Sequence, residues 1–574
     1  GRAALAALAK KGLVEVIERE VPRETDHQVN ERAGPPLPLS PAQKEALEPV
    51  VEAINRRRPE IFLLHGVTGS GKTEVYLQAM VETIRQGRQA ILMVPEISLT
   101  PQAMARVSDR FPGRTASLHS KLSDRERVDA WQHIRSGEVD VVVGPRSALF
   151  APVPRPGLIV ADEEHDPSYK QNASPRYHAR DAAAVLGRLT GATVIFGSAT
   201  PDVATFEAAR SGRIKLLSLP DRPTWGTAEA ARPMPRVEIV DMRQELKQGN
   251  RSMFSNSLSE SLRRTLAADR QSLLFLNRRG NATVVICRDC GYVVRCKSCD
   301  IPFTHHLNHS RLICHRCDRR IASPTSCPAC GSGRIRFLGA GTQRVEEAAR
   351  ELLPGARVLR WDRDVTGAKG AHQRILDAFA AHQADILVGT QMIAKGLDFP
   401  LVTLVGVVSA DTGLHMPDFR APERSFELLT QVAGRAGRAQ MPGEVIIQTY
   451  TPEHYAIQAA RGHDYHRFFE EEMSFRRDAG YPPFSRLLRF VYSDEDEVRC
   501  HDAARLLRAA LLRAVEENNI SADVIGPAPC FIAKIKNRYF WQIIVRGSGG
   551  AALHSLLDYV TAGWTVDVDP VDLL

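Results

Sequence analysis

The sequence lacks the features that mark membrane-spanning or disulfide-stabilised proteins. No apolar run approaches the roughly 18 residues that cross a bilayer, and the longest lies near residues 401–410. Aromatic residues make up only 6% of the chain, and two of its ten cysteines stand outside C-x-x-C pairs. An initiating methionine is also missing, so a preceding targeting segment is not excluded. We expect a cytoplasmic protein with no membrane span, in a reducing compartment.

The net charge and the length of the chain limit its possible partners and its number of domains. The chain has 75 Lys and Arg against 67 Asp and Glu, a net charge of +8 and a pI near 9.0. This surplus permits a polyanionic partner without requiring one. A chain of 574 residues is too long for one hydrophobic core, so we expect roughly three to five domains.

The most specific motif is GVTGSGKT at residues 66–73, which has the pattern of a phosphate-binding loop. An apolar run at residues 61–64 precedes it as a buried strand, and a segment of helical periodicity follows. We expect Lys72 to contact the β- and γ-phosphates of ATP and Thr73 to ligate Mg²⁺. A glycine-rich turn with an exposed lysine is the alternative. The remaining nucleotide contacts are expected from Gly66, Val67, Thr68, Gly69, Ser70 and Gly71.

The acidic sequence DEEH, residues 162–165, ends another predicted buried strand. A carboxylate at this place can hold the Mg²⁺ water shell while its neighbour polarises the attacking water. We assign Asp162 to the metal and Glu163 to the water. An acidic strand end that only caps helices is the alternative. Gln43, a short distance before the phosphate loop, is placed where its side-chain amide can read the adenine edge.

Apolar strands alternate with amphipathic helices in two series. The first runs from residue 61 to about 218, and the second begins near residue 271 and resumes after an insertion. This alternation predicts mainly parallel sheets covered by helices on both faces. The second series has no phosphate loop and ends in QVAGRAGR. Arg435 and Arg438 there suit arginine fingers that reach the γ-phosphate from a second lobe, although a solvated helix face is the commoner use of such a pair.

Several motifs together resemble a known family. GVTGSGKT, VPEISLTPQ, DEEH, GSAT, GTQMIAKGLDFP and QVAGRAGR stand in the order used by superfamily 2 helicases. With GPRSALFAP, DEEHDPSYKQ, RYHARD, FLNRRGN and the cysteine insertion, the whole chain resembles the primosomal replication-restart helicases, the PriA or primosomal protein N′ family. At the front the sequence departs from that family, since it has only the tail of a winged helix.

This resemblance implies a fold and further site residues. The fold class is α/β, with two RecA-like helicase lobes built on parallel sheets and a zinc-binding insertion in the second lobe. An α+β C-terminal domain and a partial winged helix at the start complete it. Gln431 would bind the nucleotide, and Gly396 and Asp398 would belong to a further helicase motif.

The resemblance also implies a function. It is that of an ATP-dependent 3′–5′ DNA helicase that recognises stalled or collapsed replication forks and initiates primosome assembly and replication restart. Its cofactors would be ATP, Mg²⁺ and two Zn²⁺. Its partners would be forked and single-stranded DNA, the single-stranded-DNA-binding protein and primosome loader proteins, with the chain acting as a monomer in the bacterial nucleoid. Two alternatives stay open: an RNA helicase or duplex translocase, and a zinc-bearing assembly platform that uses ATP as a switch.

These segments predict seven regions along the chain. They are the tail of a winged-helix domain (1–25), a linker (26–40), helicase lobe 1 (41–225), the first part of lobe 2 (226–286), a double zinc-binding insertion (287–335), the second part of lobe 2 (336–480) and a C-terminal DNA-binding domain (481–574). For the first region, a helix and strand packed on the next domain is an equal alternative.

Eight cysteines form four C-x-x-C pairs in the insertion, enough for two tetrahedral Cys₄ zinc sites. The gaps between successive pairs hold five, fourteen and nine residues. Five residues are too few for a comfortable return to the same metal, whereas fourteen suit a zinc ribbon. A nested pairing is therefore favoured, and an interleaved pairing is the alternative. In the nested pairing, zinc 1 is held by Cys287, Cys290, Cys327 and Cys330, and zinc 2 by Cys296, Cys299, Cys314 and Cys317.

Two segments combine aromatic and basic residues as single-strand-binding proteins do. The segment after DEEH supplies Tyr169, Lys170, Tyr177 and Arg180, with core-filling tyrosines as the alternative. KIKNRYFW near the C-terminus supplies Lys534 and Arg538, although its alternation also suits a half-buried strand. We expect the tyrosines to stack on bases and the cations to contact phosphates.

Overall fold

Four β-sheets organise the part of the chain that the structure describes. The structure is a computed structural model, and it describes residues 2–15, 36–96, 101–223, 234–277, 283–305, 311–338, 341–362, 371–391, 393, 399–437 and 443–574. Within these ranges, no helix combines the length and the apolar character that crossing a bilayer requires.

The half of the chain that carries the phosphate loop folds around a seven-stranded parallel sheet. Its elements, with the helix that precedes them, are α1 (Arg2–Lys10), α2 (Pro41–Asn55), β1 (Ile61–Gly66), α3 (Lys72–Arg85), β2 (Gln89–Met93), α4 (Pro101–Arg110), β3 (Thr115–Ser117), α5 (Asp124–Ser136), β4 (Val141–Gly144), β5 (Pro156–Asp162), α6 (Ala179–Thr190), β6 (Thr193–Ser198), α7 (Val203–Arg210) and β7 (Lys215–Leu219). The strand order is β3-β4-β2-β5-β6-β1-β7.

Both faces of this sheet are buried, as the continuous apolar strands predict. Along β1, Leu63 packs into one hydrophobic cluster, while Phe62 and Leu64 pack into a second cluster on the opposite face. Because β6 lies between β1 and β5, the carboxyl ends of these three strands meet at one edge. That edge carries the phosphate loop, DEEH and Ser198, so the sheet itself assembles the site.

The cysteine insertion interrupts the second half of the chain. Ahead of it lie β8 (Arg236–Asp241), α8 (Met242–Lys247), α9 (Asn256–Ala267) and β9 (Gln271–Leu276), and its own strands are β10 (Thr283–Cys287), β11 (Thr304–His305), β12 (Arg311–Ile313), β13 (Arg320–Ala322) and β14 (Ile335–Leu338). These five strands form an antiparallel sheet in the order β13-β12-β11-β10-β14. Its hydrophobic cluster is small and includes Cys296 and Cys314, so the module has only a small core of its own.

A second parallel sheet, in the order β15-β16-β9-β17-β18-β8, joins both sides of the insertion. The elements after the insertion are α10 (Thr342–Leu352), β15 (Val358–Trp361), α11 (Ala371–Ala380), β16 (Ile386–Gly389), β17 (Val402–Ser409), α12 (Asp411–Leu414), α13 (Ala421–Ala433), β18 (Glu444–Thr449), α14 (Tyr455–Arg461) and α15 (Tyr465–Asp478). The two parallel sheets are the two RecA-like lobes, which confirms the predicted fold class.

The last region is an α+β domain. It contains β19 (Arg486–Asp494), α16 (Glu497–Glu517), β20 (Ala522–Ile535), β21 (Arg538–Gly547), α17 (Gly550–Ser555) and β22 (Trp564–Val568). Its strands form an antiparallel sheet in the order β20-β21-β19-β22, and α16 packs on it through Leu507 and Leu511.

Candidate nucleotide site between the two lobes

The phosphate loop has the backbone that its sequence predicts. Gly69 and Gly71 adopt φ values of +86° and +80°, in the left-handed region that favours glycine. α3 begins at Lys72, so Lys72 and Thr73 form the first turn of the helix, where free N–H groups favour an anion. The Lys72 ammonium donates to Gly66 O at 2.8 Å and is therefore folded onto the loop that would hold the phosphates.

Two side chains from opposite ends of the first lobe brace this loop. Gln43 is buried, and its Nε2 donates to Ser70 O at 2.8 Å while its Oε1 accepts from Ser40 N at 2.9 Å. Both ends of the amide are thus engaged, and the adenine contact stays a prediction. From the other side, Arg222 Nε donates to Thr68 O at 2.6 Å. Sequence reasoning missed Arg222 because a single arginine in a loop belongs to no recognisable pattern.

Asp162 and Glu163 lie at the end of β5. The Tyr76 hydroxyl donates to Asp162 Oδ1 at 3.1 Å. Burial, and then the adjacent Glu163, raise the pKa of Asp162 to about 6. Glu163 has a left-handed φ of +48°, and its buried Oε2 accepts no hydrogen bond from the described residues. Hard carboxylate and hydroxyl oxygens suit Mg²⁺, so this donor set fits the predicted metal role of Asp162 with Thr73.

The last two residues of DEEH connect the site to its surroundings. Glu164 accepts from Arg180 at 2.6 Å and from the backbone N–H of Asp202 at 2.8 Å. His165 contacts Ser198 Oγ through Nδ1 at 2.6 Å, and its Nε2 lies 2.7 Å from Gln431 Nε2 of the second lobe. The predicted nucleotide residue Gln431 is thus beside DEEH, across the lobe boundary.

The second lobe also touches the phosphate loop directly. A Cβ added to Gly434 would lie 2.6 Å from Thr68 Cγ2, so only glycine fits at this approach. Arg435 follows at the end of α13 and is half-buried. The other predicted finger, Arg438, lies outside the described residues, as do Gly396 and Asp398. The structure therefore brings Lys72, Asp162, Glu163, Gln431 and the segment leading to Arg435 to one cleft.

A cavity of about 190 Å³ opens beside the phosphate loop, between the lobes. Its lining includes His65, Thr68, Phe426 and His466. Burial, and then the positive charge of Lys72, lower the pKa of His65 to about 4. The two lobes therefore contact each other along this edge of the sheet but leave an open space beside the phosphate loop.

The structure corrects three of the predicted DNA contacts. Tyr169 is 1% exposed, and its hydroxyl donates to Asp162 O at 2.6 Å and to Met93 O at 3.0 Å, so it fills the core instead of stacking on bases. The Lys170 ammonium is buried against β22 of the C-terminal domain, with Val568 O at 2.7 Å. Arg180 is held by Glu164 and Thr205. A buried cation with internal acceptors is not available to DNA phosphates.

The other predicted DNA contacts lie at the surface and stay predictions. Tyr177 is half-buried and packs edge-on against Phe150, with ring centroids 5.1 Å apart. Phe150 is 54% exposed, and the signal in the sequence that could have indicated it is its place in the motif GPRSALFAP. Lys534 and Arg538 are exposed on the β20–β21 hairpin, where the Lys534 ammonium lies 4.6 Å from the Tyr539 ring centroid.

The cysteines lie in two groups of four, with the same members as the predicted nested pairing. One cluster contains Cys287, Cys290, Cys327 and Cys330, and the other contains Cys296, Cys299, Cys314 and Cys317. Three Sγ–Sγ separations are 3.7, 3.6 and 3.7 Å. A tetrahedral site with Zn–S bonds of about 2.3 Å has edges of about 3.8 Å, so the sulfur atoms fit zinc. The Cys314–Cys317 knuckle also packs on the C-terminal domain, since Gln542 Nε2 donates to His315 O at 3.2 Å.

Two facing RecA-like lobes, one with the phosphate loop and DEEH and the other with the QVAGR segment, define the core of a helicase. Family models match the same parts of the chain: DEAD/DEAH box helicase over residues 40–208, helicase conserved C-terminal domain over residues 338–440, and primosomal protein N C-terminal domain over residues 477–571.

Relatives identify the family. The chain is 47% identical over 569 residues to the replication restart protein PriA of Bacillus subtilis (strain 168), covering 99% of this chain and 69% of that protein. It is 44% identical over 551 residues to the PriA of Synechocystis sp., covering 94% and 64%. The chain belongs to the replication restart protein PriA family and spans about two thirds of the length of these relatives. Its structure is also similar to that of RecG bound to a three-way DNA junction, at 17% identity and a TM-score of 0.44 over 76% of this chain and 46% of that one.

Proposed function

We propose that the chain is an ATP-dependent DNA helicase that moves 3′ to 5′, recognises stalled or collapsed replication forks and initiates primosome assembly. The helicase fold and the replication-restart name of its relatives support this role. The proposed partners are forked and single-stranded DNA, the single-stranded-DNA-binding protein and primosome loader proteins. The seven regions predicted from the sequence, with a DNA-binding C-terminal domain, belong to the same proposal.

The residues of the cleft have distinct parts in the proposed hydrolysis. Lys72 leaves Gly66 O to neutralise the β- and γ-phosphates, and the loop N–H groups hold them in place. Asp162 and Thr73 would hold Mg²⁺, which neutralises charge on the phosphate oxygens when bound. Glu163 orients the attacking water through Oε2, the oxygen that accepts no hydrogen bond from the described residues. Arg435 and Arg438 supply positive charge from the second lobe. Gln431 contacts His165 and so links the closure of the two lobes to the DEEH residues.

The observation that carries this proposal is the contact of the second lobe with the nucleotide loop, made by Gly434 on Thr68. ATP bound at the loop would be reached from both lobes, so its hydrolysis can move one lobe relative to the other. Movement of two lobes along a strand is what strand separation requires.

Strand displacement on matched forks tests the proposal. We expect ATP-dependent separation of DNA forks that carry a 3′ single-stranded tail, and none with Lys72→Ala. Separation of RNA forks with equal efficiency would favour an RNA helicase. Movement without strand separation would favour a duplex translocase. ATP hydrolysis without either would favour an assembly platform that uses ATP as a switch.

A further inference from the structure

The end of the C-terminal domain contacts both helicase lobes. Residues 567–573, which we name the C-terminal strap, begin in β22 and run on beyond it. On the first lobe, the strap surrounds the Lys170 ammonium with Val568 O at 2.7 Å, Asp569 O at 3.2 Å and Asp567 Oδ1 at 3.0 Å. The two backbone oxygens accept hydrogen bonds from the ammonium, and Asp567 Oδ1 lies within ion-pair distance of it.

On the second lobe, the same strap is held by a buried ion pair. Arg424 lies 3.1 Å from Asp418 and donates to Val571 O at 2.5 Å. The backbone N–H of Leu573 donates to Asp418 Oδ2 at 3.3 Å. Seven consecutive residues therefore join Lys170 of the first lobe to Arg424 of the second.

Lys170 is also directly connected to the nucleotide site. It follows Tyr169, whose hydroxyl donates to the backbone oxygens of Asp162 and Met93. The Lys170 side chain is 3% exposed, and removing its ammonium from the two backbone oxygens and from the Asp567 carboxylate would leave a buried charge unpaired. The loop after DEEH and the strap consequently move together for as long as the Lys170 attachment holds.

We propose that the C-terminal strap, through Lys170, is a positioning device that restrains ATP hydrolysis while no DNA is bound. Rotation of one lobe against the other would pull the strap against Lys170 or Arg424, so lobe closure is opposed while both attachments hold. DNA that shifts the C-terminal domain would release the Lys170 attachment and with it the DEEH loop. This inference rests on the proposed function, because it assigns the control of the same hydrolysis.

The test compares two isosteric variants of the C-terminal domain in the full chain. Asp567→Asn removes the negative charge beside Lys170 and keeps both backbone acceptors. Asp523→Asn is the matched control, since its carboxylate pairs with Arg546 of the same domain at 2.7 Å. We expect Asp567→Asn to raise DNA-independent ATP hydrolysis about three- to tenfold, to leave the DNA-saturated rate unchanged, and to speed hydrogen exchange in residues 163–178. The control should match the wild type in all three.

A basal rate that does not rise overturns the proposal, and so does a parallel fall of the basal and DNA-saturated rates, which would mean that the strap only builds the site. If Asp567→Asn does not fold, Arg176→Gln tests the same attachment, because Arg176 lies 3.8 Å from the other Asp567 oxygen and is partly exposed. A wild type that hydrolyses no ATP would overturn the proposed function instead. The hydrogen-exchange comparison would then decide the Lys170 attachment separately.

Discussion

His165, at the end of DEEH, and Gln431, on α13, face each other across the lobe boundary with Nε2 atoms 2.7 Å apart. When the Gln431 amide donates, the His165 proton lies on Nδ1 and is donated to Ser198 Oγ, 2.6 Å away. The three side chains form a chain of hydrogen bonds from the end of β6 to the second lobe. His165 Nδ1 also lies 3.8 Å from Glu163 Oε2, so we expect a movement of α13 to reach the residue assigned to the water.

Gln431→Ala should therefore slow hydrolysis more than it weakens nucleotide binding. We expect kcat with saturating DNA to fall roughly tenfold, about 1.4 kcal/mol, while KM for ATP changes less than about threefold. Steady-state kinetics measure both. Gln458→Ala is a control within the second lobe, because its amide donates only to Pro452 O among the contacts described. A large rise in KM with an unchanged kcat would show that Gln431 acts in binding instead.

Lys72→Ala should abolish ATP hydrolysis while leaving fork binding nearly intact. The ammonium is the positive charge held at the phosphate loop, and its loss should lower kcat roughly 1000-fold. The remaining candidates for DNA contact lie elsewhere, at Tyr177, Lys534 and Arg538. Turnover and fluorescence anisotropy on a labelled fork measure the two properties. Hydrolysis at the wild-type rate would refute the site assignment.

The corrected position of Tyr169 changes what its substitution should do. Tyr169→Phe removes the hydroxyl from two buried carbonyls, which should lower the free energy of unfolding by about 1–3 kcal/mol. Because the hydroxyl holds the backbone of Asp162, basal and DNA-stimulated hydrolysis should fall by the same factor. Tyr177→Ala should lower the stimulated rate more than the basal rate. A selective loss of stimulation in Tyr169→Phe would restore a direct DNA role.

The backbone of the phosphate loop and the grouping of the cysteines could be predicted because their signals are local. The glycines of the phosphate loop, the apolar strand before it and the spacing of the cysteines each constrain a short backbone segment, and the parallel sheet then brings the strand ends together. The burial of Lys170 against the C-terminal domain could not be predicted in this way. Its partner Val568 lies 398 residues along the chain, and an aromatic and basic segment looks the same whether its charges meet DNA or a distant domain. Arg222 was also missed, because a single arginine in a loop belongs to no recognisable pattern and its partner Thr68 lies 154 residues away.

Lowering the pH should reduce the stability of the fold through His65. The pKa of His65 is lowered from 6.5 to about 4, by burial and then by Lys72 and His466, while Phe206 and Tyr465 pack against its ring. Above pH 6.5 the ring is neutral in both folded and unfolded chains. Below that pH the unfolded chain binds a proton that the folded chain takes up only near pH 4, so folding free energy is lost across this window.

His65→Gln should reduce this loss by up to about 2 kcal/mol between pH 7 and pH 5, since one pKa unit corresponds to about 1.4 kcal/mol. Urea unfolding at the two pH values measures the difference for variant and wild type. His554→Gln, at an exposed position, is the control and should leave the pH dependence unchanged. An equal loss in wild type and His65→Gln would show that the ring is solvated in the folded chain.

The insertion should hold two zinc ions per chain, and the nested arrangement makes their loss separable. Cys296→Ser leaves three thiolates at one site and should release that zinc, while the four cysteines of the other cluster stay occupied. Cys327→Ser should release the other zinc, and metal analysis of both variants measures the stoichiometry. ATP hydrolysis on single-stranded DNA should largely persist in both, because the cleft residues lie outside the insertion.

Unwinding should suffer more in Cys296→Ser, whose cluster includes the knuckle packed on the C-terminal domain through His315 and Gln542. Loss of both zinc ions in Cys296→Ser would contradict two independent sites, and loss of all hydrolysis in well-folded protein would contradict the separation of the insertion from the nucleotide cleft.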